Sequence, residues 1–232
     1  MNSICKHYSP KNRVAIISLI PLMAVLLAVQ TCFAFKGTNS GELSKGKKIY
    51  GRMESFLKGK PNMAFDFIRI IESPYTGECD SLRGSIKINR DGFARVDIDN
   101  RIIIERSDTL YDYSGDGNQL TISPGKRGMI KQLLLSEYLG GNKVVGWKDN
   151  GRWVEVSLEP TNDDNEYKDI RMIMMEQKGV SAYLPKKLHY IDGLGRRITW
   201  EFSKFNFAPS FNSETFTFSP PDGCRVVNLF ER

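Results

Sequence analysis

The strongest constraint on this chain is the run of residues 84–120, in which apolar and polar side chains alternate strand after strand. In its first hairpin Ile86, Ile88 and Arg90 fall on one face with Ala94, Val96 and Ile98, while Lys87, Asn89, Arg95, Asp97 and Asp99 fall on the other. A period of two over this length belongs to an antiparallel meander with one face buried, and Asp91-Gly92 and Asn100 supply the turns. Arg90 breaks the pattern. Its guanidinium is assigned to the apolar face, where it stays only if its donors find acceptors, because an unpaired buried charge costs several kcal/mol.

The rest of the chain extends the sheet and adds two covers. Over 62–73, Met63, Phe65, Phe67 and Ile71 alternate with Arg69 among them, which predicts a long strand. Further strands are expected at 143–147, 152–158, 169–175, 186–191, 196–205 and 215–218, each bounded by turn residues such as Asp149-Asn150-Gly151 and Asp192-Gly193. The period changes twice. Residues 47–58 carry Ile49, Met53, Phe56 and Leu57 at helical spacing and stop at Gly59 and Pro61. Residues 126–139 place Met129, Ile130, Leu133 and Leu134 on one helical face before Gly140-Gly141. A sheet of about ten or eleven strands curls or splits. The expected fold class is therefore α+β: a strongly curved antiparallel sheet forming an unclosed β-barrel, with helices 47–58 and 126–139 as a lid over its mouth.

Residues 1–34 read as a cleaved secretory signal: basic Lys6, Lys11 and Arg13, an apolar run from Val14 to Val29, and Ala34. The run is short for a membrane span, which needs about 20 residues; acylation at Cys32 is the other alternative. A single domain over 35–232 remains. Removing three positive charges lowers the formal net charge from +6 to +3, too little for the concentrated basic stripe that nucleic-acid binding requires. Cys79 and Cys224 survive in the mature chain, and in an oxidising compartment such a pair reads as a disulfide, two free thiols being the alternative.

The usual constellations of catalysis are missing from the sequence. There is no zinc-protease His pair, no Gly-x-Ser-x-Gly elbow and no phosphate-binding glycine loop. His189 is the only histidine beyond the signal, Asp97 and Asp99 lie on the solvated face of their strand, and the Asp116 and Asp163-Asp164 segments are ordinary turn chemistry. We expect no enzyme, no cofactor and no metal. A one-layer sheet bent under two lids either fills its interior with side chains or keeps a cavity, and the methionines at lid and wall positions (Met53, Met63, Met129, Met172, Met174, Met175) suit an adaptable lining.

The meander, Gly84-Ser-Ile-Lys-Ile-Asn-Arg90 followed by a glycine turn, and the ending Phe216-Thr-Phe-Ser-Pro-Pro-Asp-Gly223 resemble the LolA-type periplasmic carriers of outer-membrane lipoproteins. The resemblance spans about 47–228 and is strongest at 84–113 and 214–223. It implies an acyl-chain cavity walled by Phe65, Phe67, Ile86, Ile88, Phe93, Ala94, Val96 and Ile98 and lidded by Met53, Phe56, Met129, Ile130, Leu133 and Leu134. Arg90 matches the family arginine thought to hold the empty lid shut. Asp91 stands where the family usually has proline, and Ala94 and Val96 where it has aromatics. Implied partners are acylated lipoproteins as cargo, an inner-membrane Lol-type ABC exporter and an outer-membrane lipoprotein acceptor, with the chain a periplasmic monomer. The alternatives are the tethered acceptor of the same fold and a module that senses lipoproteins without carrying them.

Overall fold

The computed structural model describes residues 40–135, 141–161, 167–177 and 179–230. In chain order these form α1 (Ser40–Lys58), β1 (Met63–Glu72), β2 (Cys79–Ile88), β3 (Ala94–Ile98), β4 (Arg101–Arg106), β5 (Thr109–Ser114), β6 (Gln119–Pro124), α2 (Met129–Leu133), β7 (Asn142–Asp149), β8 (Val154–Pro160), β9 (Lys168–Glu176), β10 (Tyr183–Ile191), β11 (Arg197–Asn206) and β12 (Arg225–Asn228). The signal expected over 1–34 lies outside the described residues.

The alternation over 84–113 folds in the register its pattern demands, with Ile86 opposite Val96 and Ile88 opposite Ala94. All twelve strands join one sheet in the order β12-β6-β5-β4-β3-β2-β1-β11-β10-β9-β8-β7. Neighbours are antiparallel except β12, which runs parallel to β6. The end strands β12 and β7 do not pair, so the barrel stays unclosed. Gly84 is fixed by sterics: a Cβ there would stand 2.5 Å from both the Asp97 carbonyl oxygen and Phe67 Cζ. The Phe67 ring lies over the space a side chain would fill.

The inner face buries Met63, Phe65, Phe67, Ile88, Ala94, Met172, Met174, Ile198 and Phe202 together with Met53 and Leu57 of α1. This helix packs on β7 and β10. It begins at Ser40, earlier than its apolar stripe suggests. The polar residues before Lys47 are wound because Gly46 lets the helix press against Trp147, whose Cβ would lie 3.0 Å from an added methyl. Tertiary packing outweighs the weak local propensity there.

Four sequence expectations are corrected. Residues 215–218 form turns, not a strand; the alternating Phe216 and Phe218 instead pack their rings against Phe93, Phe211 and Tyr113. They cover the outer side of the sheet, where Ile104 and Leu120 are also buried. The sheet's last strand is β12, and β6 follows the turn at 116–118 in a stretch for which no separate strand was expected. Phe93 therefore belongs to this outer cluster, 6.3 Å from the Phe216 ring, and not to the inner wall. Cys224 is a free thiol, so the Cys79–Cys224 pairing is not made. Cys79 opens β2 while Cys224 precedes β12, five strand positions away in the sheet order. At about 4.8 Å per strand that is about 24 Å along the sheet, against the roughly 7 Å that a bridge tolerates.

Candidate functional site

The alternation of β1, β2, β3 and β11 points a row of large apolar side chains inward, and they do not meet completely. A hollow of about 170 Å³ remains, lined by Phe67, Ile86, Val96, Ile98, Trp200 and Phe202 from the sheet and by Ile130 and Leu134 from the α2 segment. Phe65, Ile88, Ala94 and Met53, also expected as lining, are buried in the packed core instead. Phe56 lies edge-on to Phe207, 5.0 Å between ring centres, with the Lys60 ammonium 4.1 Å from its own ring.

The roof is held by polar tethers of known geometry. Glu105 of β4 is fully buried, and its two carboxylate oxygens accept from the backbone N–H groups of Met129 at 2.6 Å and Ile130 at 2.9 Å. These are first-turn donors with no partner inside the helix, and bonds to a carboxylate are the stronger kind. Lys131 Nζ donates to the Lys60 carbonyl at 2.9 Å, tying α2 to the chain just beyond α1; burial pushes this ammonium below its ordinary pKa. Beyond α2, the Gly141 N–H donates to Glu54 Oε1 at 2.7 Å. The chain stays wound through Leu135 in wider, π-type turns. The Leu133 side chain and the expected helical residues 136–139 lie outside those described. Gly128, with φ of 78°, turns the chain into α2, so the helix starts at Met129 and not at Lys126.

Arg90 is not the tether. It is exposed, and its backbone N–H donates to Asn62 Oδ1 at 2.8 Å. The cause is the preceding residue: Asn89 Oδ1 accepts from Asp91 N–H at 3.0 Å and Phe93 N–H at 2.9 Å. This closes the turn and ends the strand alternation at Ile88. The guanidinium contact in this region runs the other way, Arg127 Nε donating to the Asp91 carbonyl at 2.6 Å.

Trp200, Phe202 and Glu105 were missed in the sequence. The first two were legible, because Ile198, Trp200 and Phe202 alternate with Thr199, Glu201 and Ser203. Glu105 shares the phase of Ile103 and so faces inward, but its partners lie 24 and 25 residues on. His189 is half-buried with Nδ1 2.9 Å from Thr199 Oγ1; burial first, then Lys187 and Arg171, push its pKa down. Among the described residues no His, Cys, Asp and Glu cluster could hold a metal.

A sheet that does not close, an apolar hollow within it and a tethered helical roof define a lidded, unclosed barrel. In sequence the chain is similar to the outer-membrane lipoprotein carrier protein of Dechloromonas aromatica (strain RCB), 23% identical over 186 residues, or 76% of this chain and 86% of that protein. No family model matches the chain. Its fold is similar to an uncharacterized conserved protein from Thermus thermophilus, with a TM-score of 0.48, 12% identity and coverage of 79% of this chain and 99% of that one. It is also similar to a LolA superfamily protein from Nitrosomonas europaea, with a TM-score of 0.42, 8% identity and coverage of 74% and 97%. The resemblance to LolA-type carriers rests on the sequence relative, whose name is outer-membrane lipoprotein carrier protein.

Proposed function

We propose that this protein is a periplasmic carrier that takes the acyl chains of lipoproteins into its hollow and shuttles them from the inner to the outer membrane. The observation that carries this reading is the wholly apolar space of about 170 Å³ under a roof attached at a few polar points. An acyl chain gains about 0.8 kcal/mol for each methylene removed from water, so a soluble host must offer comparable apolar surface. The hollow is smaller than the roughly 300–1,000 Å³ of typical ligand sites. A whole chain therefore enters only if Ile130 and Leu134 swing away, which a roof held by few tethers permits. The relative's name supports lipoproteins as cargo. The same reading makes a Lol-type ABC exporter the donor and an outer-membrane acceptor the recipient. It makes residues 1–34 a removed signal and 35–232 the working domain, a monomer whose role is binding and not catalysis.

The test is equilibrium uptake of a fluorescent fatty-acyl probe, competed by a triacylated peptide. Wild type should take up the probe and release it to the peptide, and Val96→Phe, which drives a ring into the hollow, should lose most uptake while remaining folded. Absence of uptake by folded wild type would leave a module that recognises lipoproteins without carrying them. The mass of the mature chain separates the free carrier from an acceptor anchored through Cys32.

A further inference from the structure

The hollow has a cation at its edge whose buried donor no described residue satisfies. Arg69 lies on β1 two residues beyond Phe67, paired with Trp200 of β11 on one side and Leu82 of β2 on the other. It therefore faces the inner side, about 7 Å along the strand from Phe67. Its guanidinium stands 5.5 Å from the centre of the Trp200 ring, and that ring lines the hollow. Its Nε is buried without a hydrogen-bond partner among the described residues. A solvated strand arginine would keep that donor in water. Here stacking on an indole offsets part of the lost hydration, while the buried Nε–H keeps an unused donor on the guanidinium. The Trp200 Nε1–H donates to the Tyr190 hydroxyl at 3.3 Å, which puts a second polar group at this end of an otherwise apolar wall.

We propose that Arg69 receives the anionic head of an amphiphile whose acyl chain occupies the hollow, so that the site prefers chains ending in a carboxylate or phosphate to chains ending in a neutral group. This rests on the acyl-carrying reading and adds to it a polar specificity. The geometry suits such a ligand: the chain runs along Phe67, Ile86 and Val96, and the head emerges beside Trp200 where the guanidinium is already oriented. Two parallel N–H bonds to a carboxylate or phosphate are the arrangement that a guanidinium provides and an ammonium does not.

The experiment compares lauric acid, dodecyl phosphate and 1-dodecanol as competitors of a neutral fluorescent acyl probe, on wild type, Arg69→Gln and Arg69→Lys, with thermal melts as a folding control. Wild type should bind the two anions about ten- to a hundredfold more tightly than the alcohol. Arg69→Gln should bring all three within about twofold of one another, and Arg69→Lys should restore only part of the preference. A difference between the acid and the phosphate identifies which head the site is shaped for. Equal binding of all three by wild type, or a preference that survives in Arg69→Gln, overturns the assignment while leaving the carrier reading intact. Failure of wild type to bind any competitor or the probe overturns both. Should Arg69→Gln not fold, the wild-type ranking and Arg69→Lys still decide.

Discussion

Glu105→Gln tests whether the roof is held from β4. In the wild type one carboxylate oxygen serves Met129 and the other Ile130, at 2.6 and 2.9 Å. A carboxamide keeps one acceptor and turns an N–H₂ group toward the other backbone N–H, so one bond is lost and the other falls from a charged to a neutral acceptor, while the Met129 N–H still has the Lys126 carbonyl at 2.9 Å. Bonds to charged groups contribute about 1.5–3 kcal/mol each, and the exchange should weaken roof closure by about 3 kcal/mol, or about a hundredfold in its opening constant. Hydrogen exchange read residue by residue is the assay. The Ile130 amide should exchange about a hundredfold faster, while the amides of Phe65 and Ile88, in the paired strands β1 and β2, should keep their protection because they open only with the sheet. Unchanged exchange at Ile130 would refute the tether. So would an equal acceleration at all three amides, since Glu105 would then be holding the sheet together and not the roof.

Two other perturbations probe the wall and the outer face. Gly84→Ala puts a methyl 2.5 Å from a backbone carbonyl that cannot retreat and from the Phe67 ring; overpacking of about 3 kcal/mol should lower Tm by about 6–12 °C in a chain of this size, and a melt within 2 °C of wild type, about the shift expected from 1 kcal/mol or less, would show that the sheet yields there. His189 is held below its ordinary pKa by burial and then by Lys187 and Arg171, opposed by Glu155 and Glu201. Between that depressed value and the unfolded value of about 6.5, the unfolded chain binds a proton the folded chain refuses. Stability is therefore complete above about pH 6.5 and declines as the pH falls through this window; His189→Gln should flatten that part of the Tm-versus-pH curve, and an unaltered curve would place the acid sensitivity elsewhere.

What the sequence reveals and what it hides divide by distance along the chain. The pairing of Ile86 with Val96 was legible because one turn fixes both strands and a slip of one residue would expose every apolar side chain. Arg90 was misread by counting the period two residues too far, through Asn89, whose side chain had already closed the turn. Phe216 and Phe218 have the spacing of a strand but act as plugs on the outer face, a use of alternation that period alone does not distinguish. Within the site, the wall residues follow from strand phase. The roof tethers do not, because Glu105 to Ile130, Lys131 to Lys60 and Gly141 to Glu54 each join segments that only the finished fold brings together.

Under the proposed carrier function, the same tethers would set the terms on which acyl chains are held and released. Glu105 with its two donors, the Lys131 bond and the Glu54 bond together amount to on the order of 6 kcal/mol. A chain entering the hollow recovers that with about eight methylenes at about 0.8 kcal/mol each. Long acyl chains therefore open the roof with free energy to spare, and short ones do not. That margin grows with every further methylene, so a cargo of several long chains would be held too firmly to leave by itself. Under the proposed function, release would then require the recipient to bind the chains more tightly still or to stabilise the open roof, to whose start the exposed turn around Arg90 and Asp91 is joined by Arg127.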